Sequence, residues 1–157
     1  MPAVMFYTVD EAERALLLVR RIVTDIVATF TRREQTGQRR RALGAPLNPG
    51  SRAEEEAFRL EREIEIHEDD LRRYLAELDR LGVELKDWRK GLIDFHSRFR
   101  GRDVYLCWML GEGDHIGFYH EIQAGFTGRQ PITPDNRQEF KGSGSPSEPD
   151  RQATRAH

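Results

Sequence analysis

One cysteine among 157 residues removes several kinds of protein at once. A single cysteine makes no internal disulfide and no all-cysteine metal cluster within a chain, and it fits a reducing compartment; a mixed-ligand metal site stays open. Long apolar runs are missing too: no stretch reaches bilayer-spanning length, and the start, MPAVMFYTVDEAERA, has neither a basic n-region nor an apolar run of signal-peptide length. A cytoplasmic protein with no membrane segment is expected. Nor does one sign of charge dominate. The net charge of -2 argues against a polyanion as main partner, because that affinity rests on neutralising phosphates with Lys and Arg. Familiar catalytic signatures are absent as well: there is no nucleophile and base at a recognised spacing, no phosphate loop, and no pair of histidines one helical turn apart.

What is present is charge and periodicity. Charged residues make up 33% of the chain against 38% apolar, the balance of long solvated helices in a single domain. Thr8-Val9-Asp10-Glu11 reads as a capping box. A long helix over about residues 9–33 follows from Ala12, Leu16, Val19, Val23, Ile26 and Phe30 at alternating spacings of four and three. Ala15, Leu18, Ile22 and Val27 widen that seam. The pattern stops between Glu34 and Ser51, the expected hairpin tip. Arg39, Arg40 and Arg41 make this tip basic, but with no aromatic interleaved to stack on bases, nucleic acid is not expected. A second helix over about residues 52–81 should pack antiparallel on the first, with Ala57, Leu60, Ile64, His67, Leu71, Tyr74 and Leu78 on its seam and an acidic outer face.

After Gly82 the period changes from 3.6 to 2. Three strands are read, at about residues 92–96, 104–110 and 116–122, forming an antiparallel meander. The expected fold is therefore α+β: a long antiparallel helical hairpin packed on a three-stranded antiparallel β-meander, one domain over residues 1–132. Residues 133–157, rich in Pro, Gly, Ser and charge, are expected to be a disordered tail.

Strand register decides where the unusual residues go. Two-residue turns at Arg100-Gly101 and Gly113-Asp114 place Asp94, Cys107 and His120 in one row, the ingredients of a metal site or an activated thiolate. Slipping the last strand by one residue instead puts Ile116, Phe118, His120 and Ile122 on the face under the helices, with Cys107 beside Tyr119. The slipped register is the expected one, because a buried apolar face fixes register more strongly than turn preference. The glycine-rich segment Ala124 to Pro131 offers amides at positive φ beside Arg129, a candidate holder of a carboxylate or phosphate.

From Gly82 to Pro131 the segments GVELKD, GLIDF, GRDVYLCW and AGFTGRQP, with a looser TVDEAERALLLV near the start, resemble a bacterial family catalogued as domain of unknown function 2203. The resemblance implies that Lys86, Asp87, Asp94, Cys107, Glu112, His120, Glu121, Gly125, Gly128 and Arg129 fall on motif positions. It supplies no reaction. Two functions are carried forward. The first is an interaction or scaffold module that self-associates through its helical hairpin, with a second copy or another protein as partner. The alternative is a metal- or anionic-ligand-binding protein. Its ligand-binding candidates are His120, Glu121, Arg129, Lys86 and Asp87, and its divalent-metal candidates are Asp94, Cys107, His120 and Glu121.

Overall fold

The computed structural model describes residues 4–145. Two long helices pack against each other and are followed by an antiparallel sheet, an α+β architecture. Helix α1 (Val9–Ala42) begins at the expected capping box, where the Thr8 hydroxyl accepts from the Glu11 amide and the Glu11 carboxylate accepts from the Thr8 amide. It does not stop near residue 33. Helix α2 (Arg52–Arg80) lies antiparallel beside it, and Arg33 to Glu68 at 2.7 Å and Arg40 to Glu61 at 2.8 Å bridge the two. Those pairs, and buried Thr36 bonding back to the Arg32 carbonyl, carry the helix past the last apolar residue. Arg39 to Arg41 thus form a last helical turn rather than a loop tip, suited to the negative end of the helix dipole.

Along the α1 seam Ala12, Leu16, Val19, Val23 and Ile26 are buried and Phe30 is partly buried, whereas Leu18, expected to widen it, stays exposed. On α2, Ala57, Leu60, Leu71 and Leu78 are buried, whereas His67 is only partly covered. No helix among the described residues is long and apolar enough to cross a membrane.

The sheet has five to six strands rather than three. In order across it stand β1 (Val83–Asp87), β2 (Leu92–Phe99), β3 (Arg102–Met109), β4 (Phe118–Glu121) and β5 (Gln130–Pro131), while β6 (Phe140–Lys141) pairs with Arg98 and Phe99 of β2. Strand β1 is a brief alternation before a turn, and β5 and β6 are two residues each, too short for a periodic signal. Val83, Ile93, Phe95, Phe99, Val104, Leu106, Trp108 and Tyr119 join the buried α1 residues in one core. At the β1–β2 turn, Gly91 has φ +68°, and a Cβ there would stand 2.8 Å from Val23 and 2.9 Å from Leu110. The helix rests directly on that turn.

Residues 133–145 are not a disordered tail. Arg137–Glu139 forms a short 3-10 turn, β6 follows, and Phe140 is buried, its ring stacked on Phe99 at 4.5 Å and edge-on to Tyr119 at 5.0 Å. Segment composition averages over such a single anchor. The remainder of the expected tail, 146–157, lies outside the described residues.

The β2–β3 hairpin turns on Arg100 (φ 51°) and Gly101 (φ 79°), both in the left-handed region as a type I′ turn requires, and sets Asp94 opposite Cys107. The β3–β4 connection is longer than either register anticipates. Trp108 Nε1 donates to the Gly113 carbonyl, Glu112 folds back to the Met109 amide, and buried Ile116 donates its amide to Glu13 of α1. These contacts occupy the residues that a two-residue turn would have used. Phe118 therefore faces Cys107, and His120 faces Tyr105. The expected slipped register is overturned: Tyr119 enters the core, with Phe99 and Phe140 as partners, while Phe118 and Ile122 are exposed. His120 lies on the same face as Cys107, away from the helices, but diagonal to it rather than in a straight row.

Candidate metal centre

Alternation along β2, β3 and β4 sends Asp94, Cys107 and His120 to the sheet face opposite the helices, yet all three are buried. The segment after β4 supplies the cover. Gly125 takes φ +63° to enter a short 3-10 turn (Phe126–Gly128), and the Arg129 guanidinium sits 4.1 Å from the centre of the Phe118 ring and 4.9 Å from that of Phe126. Its guanidinium binds Glu112 in two places, at 2.6 and 2.9 Å, and reaches the Cys107 carbonyl at 3.3 Å. Arg129 thus fastens the loop over the cluster.

Within the cluster, one nitrogen, one sulfur and one carboxylate oxygen lie within 4.8 Å of one another. His120 Nδ1 is 2.8 Å from the Glu121 carbonyl, and a carbonyl only accepts, so Nδ1 carries a hydrogen. Nε2 stands 3.1 Å from both oxygens of Asp94. Two lone-pair groups do not approach so closely without something positive between them, so one proton is shared between imidazole and carboxylate. Burial pushes the Asp94 carboxyl up, against the downward pull of His120 and of the Cys107 thiol beside it. The thiol in turn is pushed up to about 12 by burial and by the Asp94 charge. Cys107 is a protonated thiol here, not an activated thiolate.

A cleft of about 170 Å³ opens on Asp94 and His120, lined also by Lys86, Leu92, Tyr105, Ile122, Gly125 and Phe126. The Lys86 ammonium sits 5.1 Å from the centre of the Tyr105 ring and touches Glu84 at 3.4 Å. Tyr105 is raised to about 12 by burial and by the Glu84 carboxylate nearby. The same carboxylate meets His96 at 3.0 Å.

The candidate residues separate accordingly. Asp94, Cys107 and His120 come together, and Lys86 lines the cleft beside them. Glu121 does not join: its side chain leaves on the other face to bind Arg102 at 2.6 Å, and only its carbonyl serves the site. Asp87 is a turn residue, accepting from the Arg89 and Lys90 amides, and those bonds hold its carboxyl below the ordinary range. In the glycine-rich loop the Gly128 and Arg129 amides bond within the segment, the Ala124 amide bonds back to the Glu121 carbonyl, and the guanidinium is committed to Glu112. Tyr105 was missed, although alternation through Val-Tyr-Leu-Cys-Trp already places it on the face of Cys107.

Fold and cluster together define a small α+β protein with a buried Asp–Cys–His group beneath a cleft on the helix-free face of its sheet. The chain belongs to the family described as "Uncharacterized conserved protein (DUF2203)", whose sequence model matches residues 5–132. No curated protein and no solved structure gives a significant match.

Proposed function

We propose that Asp94, Cys107 and His120 bind a divalent transition-metal ion of the zinc class, with one coordination position turned toward the cleft. The observation that carries this reading is the orientation of His120. Its Nδ1 hydrogen is spent on a backbone carbonyl, which aims Nε2 at the carboxylate in the way outer hydrogen bonds orient metal-ligating histidines. In a four-coordinate site with bonds of ~2.0–2.3 Å the donor atoms stand roughly 3.3–3.8 Å apart, so only small shifts separate the present spacing from coordination. Thiolate, imidazole and carboxylate together suit zinc or cobalt better than magnesium or calcium, which take oxygen donors. Three protein ligands with a free position match the catalytic rather than the closed structural type of zinc site. A cytoplasmic, reducing setting suits a thiol kept out of disulfides.

Elemental analysis of untagged protein and titration with cobalt(II) test the reading. About one equivalent per chain is expected, with the near-ultraviolet absorption of a cobalt–thiolate bond, and both should be lost in His120→Ala. Wild-type protein that takes up neither zinc nor cobalt at micromolar concentration overturns it.

A second reading, an interaction or scaffold module that self-associates through the helical hairpin, is supported by Leu17 and Leu18, which stay 71% and 52% exposed on α1. Its weakness is that the basic and acidic helix faces already match within the chain, at Arg33–Glu68 and Arg40–Glu61. Sedimentation equilibrium separates the outcomes. A dimer that Leu17→Asp dissociates supports it, and a monomer at every concentration removes it.

A further inference from the structure

We infer that the cleft over the Asp94–Cys107–His120 cluster receives a small monocarboxylate with a short apolar tail, its carboxylate shared between the ion's open position and the Lys86 ammonium. This rests on the metal reading above and adds the class of ligand. Size is the first constraint. About 170 Å³ is the volume of roughly five or six waters, well under the ~300–1,000 Å³ of clefts that take drug-sized molecules, so nucleotides and folded peptide segments do not fit.

Charge is the second. An ion of charge two is neutralised by the Asp94 carboxylate and the Cys107 thiolate, and Lys86 then stands at the cleft as an additional cation. Its present partner is weakly held: Glu84 lies 3.4 Å away and meets His96 more closely, at 3.0 Å. Attraction to the face of the Tyr105 ring, 5.1 Å away, favours this position of the ammonium beside another residue that lines the cleft. Arg129, the other nearby cation, is not available, since Glu112 holds it in two places.

The apolar lining is the third. Leu92, Ile122 and Phe126 complete the cleft, and the last two remain 45% and 41% exposed although glycines and polar residues surround them in the loop. A bare oxyanion such as phosphate leaves that surface unused. A short alkyl or alkenyl carboxylate covers it while meeting the ion and Lys86.

The test uses the full chain loaded with cobalt(II), titrated with butyrate, acetate and inorganic phosphate while the visible absorption of the ion is followed. Butyrate is expected to shift the spectrum saturably and to bind about tenfold tighter than acetate, the worth of two further buried methylenes. Lys86→Met should weaken butyrate about tenfold, a lost charge-assisted hydrogen bond, while keeping the cobalt–thiolate band. The inference is overturned if that band is present and butyrate leaves the visible spectrum unmoved, if phosphate alone moves it, or if Lys86→Met binds butyrate as well as wild type. Absence of the band in wild type has a different meaning: it removes the metal reading, and the ligand with it.

Discussion

His120 Nε2 stands 3.1 Å from both oxygens of Asp94, at a place in the sheet where each side chain is less than 5% exposed. Removing one member of a buried, hydrogen-bonded pair leaves the other desolvated and unpartnered, a loss of about 3–5 kcal/mol, whereas apolar residues at both positions are often tolerated. In metal-free protein, Asp94→Ala and His120→Ala should each lower the free energy of urea unfolding by about that amount. The double variant Asp94→Val/His120→Val should lose much less than the two single losses added together. Additive losses would mean that the two side chains are not coupled, and the shared proton would have to be abandoned.

Cys107 carries the next prediction. A thiol held up to about 12 is almost wholly protonated at neutral pH, and it is buried besides, so native protein should react with iodoacetamide far more slowly than unfolded protein. Coordination requires a thiolate and a free Nε2, so loading the site should release about two protons, one from sulfur and one from the Asp94–His120 pair. The Nδ1 hydrogen, committed to the Glu121 carbonyl, is retained. Because protons compete with the ion, affinity must rise with pH. Calorimetry of zinc binding in buffers of different ionisation enthalpy counts them; a count near zero would contradict ligation by Cys107.

How much of this was legible follows from where the deciding contacts lie. Alternation within β3 separates Val104, Leu106 and Trp108 from Tyr105 and Cys107, and the structure keeps that separation. The Arg100-Gly101 turn then sets Asp94 opposite Cys107 from local residues alone. The position of β4 is another matter. It depends on Glu13 capturing the Ile116 amide from more than one hundred residues away, and on Phe140 joining Phe99 and Tyr119 to complete the apolar face. Without Phe140, the pattern credits Phe118 and Ile122 to the core and turns His120 toward the helices. Parity rescued the cluster: Phe118 opposite Cys107 leaves His120 two positions along, and even displacements keep a side chain on its face.

Phe140 is therefore the residue whose loss should be most visible outside the site. It is 1% exposed and packed on two other rings, so Phe140→Ala should cost about 3–5 kcal/mol in chemical unfolding, the range for large aromatic truncations in cores. Ending the chain after Ile132 should cost at least as much. It also takes away Arg137 and the Ser143 bonds to Phe6. A truncated chain as stable as the intact one would mean that residues 133–145 contribute nothing to the fold.

Arg137 leads to the pH dependence of stability. Glu13 is mostly buried; burial alone would raise its carboxyl, but two bonds from Arg137 at 2.9 and 3.2 Å and one from the Ile116 amide hold it below the ordinary value. A carboxyl whose folded pKa is depressed stabilises the fold above its unfolded value, about 4.3 for Glu, and that contribution is lost as pH falls through the folded value. At neutral pH, Glu13→Gln should cost about 1.5–3 kcal/mol, the worth of hydrogen bonds to a charged group. As pH falls from the unfolded value through the folded one the gap between variant and wild type should close, because the folded wild-type carboxyl then gains its own proton. Urea unfolding of both proteins across this range, with chelator present, checks the sign. A gap that widens toward acid would mean that Glu13 does not anchor α1 to the β3–β4 connection through its charge.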